Sequence, residues 1–88
     1  MTKELEIINE KGLHARAAAK LVELAEGFDA RAELRHNGET AQADSIMGLL
    51  MLAAAKGTTI ELSVTGPQSE ELANAIEQLI ADRFGEAC

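Results

Sequence analysis

Short stretches in which apolar and polar residues alternate strictly constrain this chain most. Ile60, Leu62 and Val64 alternate with Glu61, Ser63 and Thr65, the period of a strand with one face buried and the other in water. Leu5 and Ile7 alternate with Glu4 and Glu6, and Ala30, Ala32 and Leu34 with Arg31, Glu33 and Arg35. Asn37-Gly38 comes next, a two-residue hairpin signal because both residues tolerate positive φ, so a returning strand is expected over 39–43. Strands with one polar face build a largely antiparallel sheet with helices on its apolar side only.

Helical periodicity fills the intervals between these strands. Ala17, Leu21, Leu24, Ala25 and Phe28 recur at helical spacing after Ala15, with Gly27 placed to end the helix. Asp44 and Ser45 are each suited to cap a short second helix, whose apolar face is Ile46, Leu49, Leu50 and Ala53 and which stops before Lys56-Gly57. Beyond the turn at Gly66-Pro67, Ser69 is expected to cap a last helix with the stripe Leu72, Ile76, Leu79, Ile80 and Phe84. The expected order is β-α-β-β-α-β-α, an open-faced α+β sandwich. Pattern alone leaves the strand order open, because a ferredoxin-like split β-α-β arrangement gives nearly the same string.

Length and charge bound the function. A chain of 88 residues fits one domain spanning 1–88. It buries only about 60% of its unfolded surface, which favours a surface site over a deep cavity. With 15 acidic against 8 basic residues, no Trp or Tyr and two Phe, it lacks the cations and stacking rings of a nucleic-acid binder. The acidic surface repels an anionic membrane, and no apolar segment approaches the ~20 residues of a span. Met1 to Glu6 alternate charged and apolar side chains, unlike a signal peptide, so a soluble cytoplasmic monomer is expected. His14, His36 and Cys88 show no ligand spacing, and neither a metal nor another cofactor is expected. Cys88 reads as a frayed terminal thiol.

The chemistry concentrates in Gly12-Leu13-His14-Ala15-Arg16. His14 falls where an irregular turn enters the first helix, and a helix start exposes unpaired N–H groups carrying partial positive charge. A neutral imidazole is a good nucleophile toward phosphorus, and the helix end favours the neutral ring near pH 7. A phosphoryl group on His14 would meet the N–H groups of Ala15, Arg16 and Ala17, and the Arg16 guanidinium offers charge-assisted hydrogen bonds. Gly12 permits the turn, and the small residues Ala15, Ala17, Ala18 and Ala19 leave room for a partner. The plainer reading of His14 is a capping or half-buried histidine. His36, beside Asn37-Gly38, has neither a helix end nor an arginine and reads as a solvated turn residue.

Gly12-Leu13-His14-Ala15-Arg16 resembles the active-site signature of HPr, the histidine-containing phosphocarrier of the bacterial phosphoenolpyruvate-dependent phosphotransferase system, and Asp44-Ser45-Ile46-Met47-Gly48 resembles its second motif. The likeness spans nearly the whole chain. It implies a four-stranded antiparallel sheet ordered 1-4-2-3 with three helices on one face. It also implies that His14 takes a phosphoryl group on Nδ1 from enzyme I and passes it to a IIA protein or domain, with Arg16 assisting and no metal. Ser45 matches the serine that an ATP-dependent HPr kinase/phosphorylase modifies in some bacteria; the plainer reading is an N-cap, and Asp44 beside it would repel a kinase's phosphate. Ala17 stands where sugar-branch members commonly have Pro and retains an N–H that Pro lacks. Ala17 and the run from Leu49 to Gly57 are similar to the nitrogen-related NPr branch and to some proteobacterial HPr proteins, and the branch stays open.

The second helix is nearly all apolar, since Met47, Met51 and Leu52 join Ile46, Leu49 and Leu50. A helix on a sheet buries about half its positions, so some of these side chains should be exposed. Met47 beside the His14 turn would then suit a carrier that docks on several partners, against the plainer reading of a helix sunk in the core. Docking is expected to be transient, with Ile46, Met47 and Met51 at its centre and Arg16, Lys20 and Lys11 meeting acidic partner surfaces. Local charge decides this despite the net charge of -7, because the Debye length is only ~8 Å at physiological salt. Two other classes are weighed beside the carrier. A small phosphatase needs a general acid, and only Glu10 lies near His14 in sequence. A regulatory binding module controlled through Ser45 needs no phosphorylatable histidine.

Overall fold

The computed structural model describes residues 1–88. Four strands, β1 (Thr2–Glu6), β2 (Arg31–His36), β3 (Glu39–Gln42) and β4 (Thr59–Thr65), form one antiparallel sheet in the order β1-β4-β2-β3. The helices are α1 (Ala15–Glu26), α2 (Ile46–Met51) and α3 (Ser69–Ala81), and a 3-10 turn, Arg83–Gly85, follows α3. This is the expected element order, and the sheet has the 1-4-2-3 arrangement that the resemblance implied.

The alternation predicted for the strands decides which face packs. In β4, Ile60, Leu62 and Val64 are wholly buried, while Leu34 of β2 pairs with Leu62 on the same face. The other face is polar and carries cross-strand pairs such as Arg35 Nη1 to Glu61 Oε1 at 3.0 Å. Leu21 of α1, Leu49 of α2, and Leu72 and Ile76 of α3 close over the apolar face in one cluster. Each fully buried Leu or Ile contributes about 1.5–3 kcal/mol through the water-excluded area.

Several boundaries differ from the sequence reading for local reasons. Ser69 does not cap α3. The Leu72 N–H bonds to the Gln68 carbonyl at 2.9 Å, which makes Gln68 the cap, and the Gln68 side chain instead accepts from the Asp29 N–H at 2.7 Å. The second helix ends at Met51, five residues before Lys56, because Ala53 turns left-handed at φ 51°. Ala53 is therefore exposed, whereas Leu52 is buried. Phe84 is buried as expected, but from the 3-10 turn beyond α3. Gly27 ends α1 with ordinary right-handed dihedrals.

Candidate functional site

His14 is the N-cap residue of α1, with extended backbone at φ -91° and ψ -176°. Three contacts fix the turn beneath it: the Leu13 N–H donates to the Ala54 carbonyl at 2.9 Å, the His14 N–H to the Gly12 carbonyl at 3.0 Å, and the Asn9 Nδ2 to the same Gly12 carbonyl at 2.8 Å. Leu13 is buried and anchors the turn in the core. The His14 side chain is left 26% exposed, which gives a reacting partner access to the ring.

Helical bonding in α1 begins with the Ala18 N–H on the His14 carbonyl at 2.8 Å. The three preceding donors, on Ala15, Arg16 and Ala17, have no acceptor within the helix. Ala17 is wholly buried, and an unpaired donor in a buried residue gains most from an added acceptor. Arg16 is exposed and has no carboxylate partner within the chain, so its guanidinium is available to an incoming anion.

The expected residues are not all placed as their sequence suggested. Lys20 is exposed, but its Nζ donates to the Phe84 carbonyl at 2.6 Å, so it also tethers the C-terminal segment. Beside it opens a basin of about 530 Å³ lined by Glu10, Lys11, Arg16, Lys20, Glu86 and Cys88. Ile46, read as part of the buried face of α2, is 41% exposed, and Met47 and Met51 are 70% and 72% exposed. Leu49 fills the core beneath them. Ser45 caps α2, its Oγ accepting from the Gly48 N–H at 3.0 Å. His36 is not a solvated turn residue. Its ring is half-buried, with Nδ1–H donating to the Leu52 carbonyl at 2.9 Å, because the early end of α2 leaves that carbonyl without a helical donor.

The sequence reading missed Glu86, whose carboxylate accepts from His14 Nε2 and puts negative charge against the ring. Burial opposes ionisation of Glu86, but hydrogen bonds from Asn9 and His14, with the charges of His14 and Lys11, outweigh it and hold the carboxyl below its ordinary value. The only local mark of the return is Gly85, which takes φ 78° just before Glu86; nothing in the pattern ties that carboxylate to His14.

A family model described as PTS HPr component phosphorylation site matches residues 1–82. The chain belongs to the HPr family. It is 46% identical to the phosphocarrier protein HPr of Cupriavidus necator, over 98% of this chain and 97% of that one. It is 49% identical to the phosphocarrier protein NPr of Escherichia coli, over 93% and 92%. The crystal structure of HPr from Thermoanaerobacter tengcongensis superposes with a TM-score of 0.94 at 35% identity, covering 100% of this chain and 99% of that chain. Family members under both the HPr and the NPr names thus align along nearly the whole chain, and the fold is the family's open-faced sandwich.

Proposed function

We propose that this phosphocarrier of the phosphoenolpyruvate-dependent phosphotransferase system accepts its phosphoryl group on Nδ1 of His14 from enzyme I and delivers it to a IIA protein or domain. One observation carries the assignment: an imidazole about a quarter exposed, engaged at Nε2, stands over three unpaired N–H groups at a helix start. With Nε2 occupied, Nδ1 is the ring atom left to react. The N–H groups of Ala15, Arg16 and Ala17, with the Arg16 guanidinium, stabilise the added negative charge.

The chain acts here as a cytoplasmic monomeric carrier, changed in one encounter and restored in the next, and does not turn over a small substrate. Glu86 is engaged with Nε2 and Asn9, away from the Nδ1 side where a phosphatase would place its acid. Ile46, Met47 and Met51 form the apolar centre of the docking face, and Arg16, Lys11 and the remaining donors of Lys20 form its charged rim. An exposed, adaptable patch on α2, the helix that packs against the one His14 caps, suits successive partners.

Ser45 is a second candidate, for regulatory phosphorylation by an HPr kinase/phosphorylase, on its match to the family's serine and against the repulsion of the neighbouring Asp44. Incubation with ATP and that enzyme tests it, and an unmodified Ser45 rejects it. For His14, the deciding assay offers phosphoenolpyruvate with either the sugar-branch or the nitrogen-branch enzyme I. The faster donor identifies the branch, and labelling by neither rejects the assignment.

A further inference from the structure

The C-terminal segment is fastened to the His14 site at three points besides the ring itself. Lys20 Nζ holds the Phe84 carbonyl at 2.6 Å, Asn9 Nδ2 donates to Glu86 Oε1 at 3.0 Å, and the Glu10 N–H donates to the Cys88 carbonyl at 3.0 Å. These contacts keep the Glu86 side chain, only 14% exposed, against the Nε2 edge of the ring. Asn9 is wholly buried, and the same amide nitrogen supports the Gly12 carbonyl. One side chain therefore fixes both the turn beneath His14 and the carboxylate beside it.

An ionised carboxylate only accepts, so Nε2 carries the hydrogen in this contact. We propose that Glu86 is a positioning residue that keeps a proton on Nε2 of His14 throughout the transfer cycle, so that Nδ1 both accepts the phosphoryl group and releases it. The proposal rests on His14 being the phosphoryl acceptor. On acceptance, the Nδ1 lone pair forms the N–P bond while the bond from phosphorus to the donor breaks, its electron pair leaving with the donor. The Nε2–H stays in place, and the ring becomes a phosphorylated imidazolium paired with Glu86. On release, the acceptor's lone pair bonds to phosphorus, the Nδ1–P electron pair returns to the ring, and a neutral imidazole departs.

Without the carboxylate, the phosphorylated ring gives its Nε2 proton to water at lower pH. The group leaving phosphorus is then an imidazolate, a far poorer leaving group. Lys11 from the preceding turn and Arg16 and Lys20 from α1 all disfavour a proton on the ring, while Glu10 of the same turn favours it and the Cys88 thiol borders the basin. Glu86 alone touches Nε2. Its carboxyl, held below the ordinary range, stays ionised wherever the ring is asked to keep its proton.

The test phosphorylates the full chain and its Glu86→Gln, Glu86→Ala and Glu86→Asp variants with phosphoenolpyruvate and enzyme I. The ring nitrogen and phosphorus NMR shifts are then followed against pH, together with the rate of transfer to a IIA acceptor. In Glu86→Gln and Glu86→Ala the midpoint for loss of the Nε2 proton should fall by about one to three units. Transfer above the wild-type midpoint should slow at least about tenfold, with rates converging below the variant's midpoint and Glu86→Asp recovering part of the loss. Superimposable titrations and rates overturn the role of Glu86 while leaving His14 as acceptor. A wild-type ring that takes no label overturns both.

Discussion

Gly12 packs against Ala54 so closely that a Cβ on Gly12 would lie 2.6 Å from the Ala54 carbonyl oxygen and 2.9 Å from the Ala55 Cα. That carbonyl already accepts the Leu13 N–H at 2.9 Å. The turn presenting His14 and the loop leaving α2 are thus one packed unit, and Gly12 also takes φ 67°, which L side chains disfavour. Gly12→Ala should cost about 2–3 kcal/mol in urea unfolding, from left-handed strain plus a backbone clash with no flexible atom to yield. A loss below about 0.5 kcal/mol would show that the two loops are not locked together.

Ser45 offers a cleaner separation of cap from charge. Ser45→Ala removes the acceptor for the Gly48 N–H and should destabilise the fold by about 1 kcal/mol, whereas Ser45→Asp keeps a capping oxygen and should unfold close to wild type. Equal losses in both variants would mean that the hydroxyl packs and does not cap.

Met47 tests the docking face without touching the core. At 70% exposure it contributes little to folding, so Met47→Glu should shift stability by no more than about 0.5 kcal/mol. The same change puts charge at the apolar centre of the proposed contact, and the KM for the carrier in the enzyme I reaction should rise about tenfold, a loss of about 1.4 kcal/mol in docking. An unchanged KM would move the docking face away from α2.

The Glu86 carboxyl predicts an acid-sensitive tail. Its folded-state pKa is lowered from an ordinary value of 4.5, so its stabilisation is present above that value and disappears as pH falls through the lowered one. Unfolding free energies of wild type and Glu86→Gln should differ by a constant amount above this window and converge below it. A gap that widens toward acid would have the sign reversed.

What the sequence revealed and what it withheld follow from range. Alternation at Ile60, Leu62 and Val64 reports only neighbours, and one residue in two fell on the core face as expected. The placement of His14 and Arg16 at a helix start was legible because such a start is a local event. Strand order was not, since it depends on pairings such as Glu4 with Glu61, and the resemblance supplied it. The end of α2 was misplaced because Ala53 takes a left-handed conformation, φ 51°, that alanine rarely adopts and that no local pattern announces. Glu86 is separated from His14 by 72 positions, and no periodicity links a ring to a carboxylate that reaches it only after the chain folds back past Phe84. His36 was misread for the same reason: its partner, the Leu52 carbonyl, belongs to another element.

The central claim is that the imidazole of His14 carries the phosphoryl group. Wild type and His14→Ala are incubated with phosphoenolpyruvate and catalytic enzyme I, and the products are read by intact mass and phosphorus NMR. The account predicts one acid-labile phosphoryl group on wild-type Nδ1 and none on His14→Ala. Label that persists in His14→Ala, or a wild-type chain left unmodified beside an active donor, would contradict it.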